Sequence, residues 1–81
     1  MPYITPDQRE ALKTRPPLNA GELNYAMATS AADYVRAKGL SYQTIAEVIA
    51  AFEGAKAEFY RCVAAPYEQG KREENGEIWS I

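Results

Sequence analysis

Ser41-Tyr-Gln-Thr-Ile45-Ala-Glu-Val-Ile-Ala50-Ala-Phe-Glu-Gly-Ala55-Lys-Ala-Glu-Phe-Tyr60-Arg-Cys-Val-Ala-Ala65-Pro66 is the stretch that decides the fold. Ile45, Val48, Phe52, Ala55, Phe59, Cys62 and Pro66 recur in steps of three and four, which puts them on one stripe of a single long helix. About a third of the chain goes into this one amphipathic rod. So small a chain has little left with which to cover it, and the stripe calls for partners, in the same chain or in copies of it.

Outward from the rod, the helix signals continue in both directions. Ser41 caps it, and Gly39 stops a preceding helix at a left-handed position with Arg36 and Lys38 in its last turn. Asn19 caps that preceding helix, with Glu22 three residues on and Leu23, Met27, Ala31 and Tyr34 as its apolar stripe. The turn between the two helices is so short that an antiparallel helical hairpin is expected. Upstream, Thr5-Pro6-Asp7-Gln8 reads as a capping box opening a short helix over 6–14, ended by Arg15-Pro16-Pro17. Downstream, Pro66 marks a kink or break and opens a short last helix with a Glu68–Arg72 pair, closed by Asn75-Gly76. The tail carries Ile78, Trp79 and Ile81, which are expected to dock on a neighbouring surface of the same or another chain. The fold class is therefore all-α: a short N-terminal helix, an antiparallel hairpin with one long helix, a short C-terminal helix and a docked tail, in a single domain over 1–81.

Composition narrows the functions. Eighty-one residues make one domain at most. Cys62 is the only cysteine and there is no histidine, which excludes an internal disulfide and a zinc site of the usual kind. Oligomerisation is the remaining support for so small a core. The net charge of −2 lacks the positive field that nucleic-acid binding draws on, so no DNA partner is expected. Residues 40–49 resemble the first helix of a helix-turn-helix reader, but Ala50-Ala51-Phe52 continues the helix where a turn is required. No apolar run reaches the roughly 18 residues of a membrane span, and the N-terminus reads unlike a signal peptide, so a cytoplasmic location is expected.

Catalysis finds no anchor: no Gly-rich phosphate loop, no paired carboxylates that stand out, and a Cys62 that sits in the apolar stripe and reads as core. A non-enzymatic protein without cofactor or metal is expected. Six tyrosines offer rings to pack or to stack on bases. Arg61, next to Tyr60, is the foremost candidate to hold a phosphate, against a simple ion pair with Glu58. Arg9, Lys13 and Arg15 form a second basic cluster, against a solvated helix face, with Arg9 and Lys13 in the candidate ligand set, which Tyr25 and its neighbour Asn24 complete. On the other side of the rod Ala46, Ala50, Gly54, Ala57 and Ala64 are small. An interior glycine costs up to about 1 kcal/mol against alanine, so Gly54 suggests close packing, either within the chain or between copies. Ala50, Gly54, Ala57 and the tail's Trp79 are the candidate interface.

The opening Met1-Pro2-Tyr3-Ile4, Gly21-Glu22-Leu23-Asn24-Tyr25, 59–68 and Glu74-Asn75-Gly76-Glu77 resemble a family of small uncharacterised proteins of tailed bacteriophages and prophages. Thr44-Ile45-Ala46, Arg61-Cys62-Val63 and Pro66-Tyr67-Glu68 are also similar to the C-terminal helix of phage anti-CBASS sponges. Those are helical hexamers that sequester cyclic oligonucleotide signals, and Arg61 matches their basic residue, although the order Arg-Cys-Val and the spacing to Pro66 depart from the pattern. The resemblance implies a homo-oligomer that sequesters a nucleotide-derived immune signal. The alternative is an interaction module that docks an apolar helix face onto another protein and has no small-molecule ligand.

Overall fold

The computed structural model describes residues 4–79. The described residues are helical with no strand, in the order α1 (Pro6–Ala11), α2 (Ala20–Lys38), α3 (Tyr42–Phe59), a π segment (Tyr60–Ala64) and α4 (Ala65–Asn75). By internal contacts the chain falls into two compact units, residues 1–45 and 46–81.

In the first unit the starts and stops follow the sequence signals. Thr5 Oγ1 accepts the Gln8 N–H at 3.2 Å while Gln8 Oε1 accepts the Thr5 N–H at 2.7 Å, a complete capping box. α1 ends at Ala11, earlier than expected, and a turn carries the chain on to Arg15, whose N–H reaches the Ala11 carbonyl. Asn19 caps α2 by accepting the Glu22 N–H at 2.9 Å. Gly39 ends it with φ 91°, a conformation that costs a residue with a Cβ, and returns its N–H to the Val35 carbonyl at 2.8 Å. Ser41 Oγ receives the Thr44 N–H at 3.1 Å and caps α3.

Among the described residues the buried set is small and mostly polar: Ile4, Glu22 and Thr44. Leu23, Met27 and Tyr34, expected as the inner stripe of α2, are all more than a third exposed. A single chain therefore leaves α2 as well as α3 with apolar surface in solvent.

In the second unit the helix passes through Pro66 without a break. A proline here lacks the N–H that would bond the Cys62 carbonyl, and its ring crowds that carbonyl. The chain answers with a wide turn: the Ala65 N–H bonds the Tyr60 carbonyl, five residues back, and Ala65 itself stays helical at φ −64°, ψ −46°. The helix is therefore continuous through Pro66, and the break expected as one alternative there does not occur.

The wide turn also moves the stripe. It adds about one residue of rotation, so side chains that follow Phe59 on the same face are Val63 and Tyr67, not Cys62 and Pro66. Cys62 is exposed instead of core, and its thiol donates to Glu58 Oε1 at 3.6 Å. Ala64 is likewise carried off the small face. Tyr60 and Glu68, eight apart, come onto one flank, and the neighbouring Glu68 carboxylate raises the phenol's pKa.

The expected Glu68–Arg72 ion pair does not form among the described residues; Arg72 Nε instead meets Glu77 Oε2 at 2.9 Å, across the stop at Gly76 (φ 92°). Of the tail's apolar side chains, the two that are described stay exposed in the single chain. Ile78 is 83% and Trp79 72% exposed, while Ile81 lies outside the described residues.

Candidate functional site

Two prolines in a row hold 16–17 extended between α1 and α2. What fixes the two helices across that linker is Glu22. The residue is 2% exposed, and its carboxylate collects four donors. Arg15 approaches with both nitrogens, Nη1 to Oε1 at 2.7 Å and Nη2 to Oε2 at 3.2 Å. The Leu18 N–H reaches Oε1 at 3.0 Å, and Gln8 Nε2 reaches Oε2 at 3.2 Å. The Arg15 bond and then the Leu18 N–H pull the Glu22 carboxyl down to about 2 against the opposing effect of burial, and the same bond raises Arg15. In the sequence Glu22 reads only as the residue three after the Asn19 cap. The missed signal was Arg15, a cation with prolines after it and no helical neighbour to pair with.

The latch leaves a cleft of about 310 Å³ between the two segments. Arg9 and Lys13, four apart, line it from α1 and its following turn, with Leu12 between them and Pro17 from the linker. Tyr25, Ala26 and Thr29 line it from one face of α2. Three residues singled out in the sequence, Arg9, Lys13 and Tyr25, thus share one site. Lys13 Nζ is held by Glu10 Oε2 at 3.0 Å; Arg9 forms no ion pair among the described residues. Asn24 is half-buried and lies one step round the helix, off the cleft wall.

The remaining expected residues lie in the second unit. Arg61 Nη2 is tied to Glu58 Oε1 at 2.7 Å, the ion pair weighed against a phosphate role, and both side chains are well exposed. The Glu68 carboxylate beside Tyr60 raises the phenol's pKa. Ala50, Gly54 and Ala57 are all exposed, and a Cβ built on Gly54 would meet nothing within 4 Å. Close packing inside the chain is therefore not what Gly54 serves.

A second cleft, of about 410 Å³ and unforeseen in the sequence, lies between α4 and the tail, walled by Tyr67, Ile78 and Trp79. Its cations are already satisfied: Arg72 by Glu77 and Gln69, Lys71 by Glu74 at 3.2 Å and by the Tyr67 ring at 5.7 Å.

Among the described residues no group of carboxylates and thiol is arranged to hold a metal, and no helix is long and apolar enough to cross a membrane. No curated protein and no solved structure matches the chain. Residues 1–78 match the family model described as a domain of unknown function, DUF6899, and the chain belongs to that family.

Proposed function

We propose that the chain is a non-enzymatic binding protein whose first unit captures a small phosphorylated ligand with a planar base. The observation that carries this reading is the meeting of Arg9, Lys13 and Tyr25 around one cleft. Its volume, about 310 Å³, is at the small end of ligand sites and suits a single nucleotide moiety. Arg9, without an ion pair, takes the phosphate by charge-assisted hydrogen bonds, and Lys13 adds a second cation on release from Glu10. Tyr25 supplies a ring for the base, against walls of Leu12 and Pro17. The similarity of 44–46 and 61–68 to cyclic-oligonucleotide sponges supports a nucleotide-derived immune signal as the ligand, and an anti-defence role for its capture.

Calorimetry against cyclic di- and trinucleotides and mononucleotides tests the reading. Micromolar binding that weakens by about tenfold or more in Arg9→Ala is the expected result, since hydrogen bonds to charged groups contribute about 1.5–3 kcal/mol. An absence of heat across the whole panel refutes it.

A second reading, the interaction module without a small ligand, is favoured by a different observation. Every residue from Ile49 to Val63 is exposed in the single chain, Phe52 and Phe59 included. A stoichiometric protein partner, retained from cell lysate by the chain and lost with Phe59→Glu, favours this reading over the first.

A further inference from the structure

Independently of the ligand, we propose that the apolar stripe of the second unit's helix is a contact face between two copies of this chain, packed antiparallel. The stripe follows from the π segment. With the extra rotation at 60–64, Phe52, Phe59, Val63 and Tyr67 fall in line, flanked on one side by Ile49, Lys56, Tyr60 and Glu68.

Area argues for a partner of the same kind. The large side chains of the stripe and its flank are each between 43% and 67% exposed. At ~200 Å² for such a side chain they offer roughly 700 Å², close to the ~800 Å² per partner of a standard stable interface. The helix from Ala46 to Asn75 is ~45 Å long, enough for several layers of interdigitation. Charge argues against the other occupants. Between Ala46 and Asn75 carboxylates outnumber cations six to four, which repels nucleic acid and anionic lipid alike.

The orientation comes from symmetry. In an antiparallel two-fold pair each flank of the helix meets the same flank of its mate. Lys56 forms no ion pair among the described residues, although it sits at the edge of an apolar stripe. A crossing point near Cys62 sets Lys56 of each copy against Glu68 of the other, twice over, and uses the helix nearly end to end. A parallel pair would set Lys56 beside Ala55 and Phe59 of its mate and leave the charge without a partner.

Light scattering and sedimentation equilibrium on the full chain read the result. The expected species is a dimer, or a higher assembly of dimers, at micromolar concentration. Phe59→Glu raises its dissociation constant about 30-fold or more, as loss of a central anchor does. Lys56→Glu weakens it about tenfold through two like-charge contacts, and adding Glu68→Lys to that variant restores it. Circular dichroism on each variant separates weakened pairing from lost helix. A helical monomer throughout the range overturns the proposal and assigns the stripe to a different macromolecule. A dimer that the double charge exchange fails to restore overturns the antiparallel pairing.

Discussion

Gly54 and Gly70 make a matched pair of probes for which face of the long helix is covered. Both sit inside helices, α3 and α4, at ordinary helical φ, and a methyl group added to either meets no atom within 4 Å. With no steric cost in the chain itself, glycine to alanine changes only backbone freedom and helix propensity, which amounts to about 0.5–1 kcal/mol in favour of the folded helix. In a chain of this size that is a rise in melting temperature of roughly 2–8 °C for each substitution. The two positions are far enough apart for their effects to add. Thermal unfolding followed at the helical dichroism band, on Gly54→Ala, Gly70→Ala and the double variant, measures it. If copies pair through the stripe of Phe52, Phe59 and Val63, Gly54 stays on the open side and both substitutions stabilise alike. If Gly70→Ala stabilises and Gly54→Ala does not, the small face of Ala50, Gly54 and Ala57 is the one packed closely in solution, and the assignment of the stripe as the copy-to-copy face is refuted.

The remaining predictions concern the latch, the phenol and the proline. The Glu22 carboxyl is lowered from 4.5 to about 2 in the folded chain, so its contribution to stability is present above pH 4.5 and is lost as the pH falls from there toward 2. Acid titration of helicity should show a transition in that window that Glu22→Gln removes, and an unchanged acid profile in that variant would contradict the latch. Tyr60 is raised by the Glu68 carboxylate beside it, so the contribution of that interaction is full below pH 10 and disappears as the pH rises through the folded value; ultraviolet titration of the phenol should shift downward in Glu68→Gln. Pro66→Ala returns an N–H to the Cys62 carbonyl and lets the π segment close to α, a gain of about 1–3 kcal/mol in helix stability. The same change rotates Tyr67 off the stripe, so the variant should melt higher yet associate more weakly, and a rise in both would show that the bulge does not set the stripe.

That proline is also where sequence and structure part. The caps were legible because each is local: Thr5 with Gln8, Asn19 with Glu22, Ser41 with Thr44, and Gly39 and Gly76 at their stops involve residues within four positions, and such short-range hydrogen bonds survive whatever the rest of the chain does. The meeting of Arg9 and Lys13 with Tyr25 was legible only as a list of chemical types. What brings them to one cleft is Arg15 reaching seven residues forward to Glu22 over two prolines, a contact with no periodic signature. The phase of the stripe was misread for a sharper reason. Counting in threes and fours assumes 3.6 residues per turn throughout, and a proline inside a helix need not break it if one wider turn frees the carbonyl it crowds. Counted that way, Cys62 and Pro66 join the stripe; counted with the extra residue, Val63 and Tyr67 do, in line with Phe52 and Phe59. A sequence rule that treats proline as a break discards the register of everything after it, whereas here the proline sets that register.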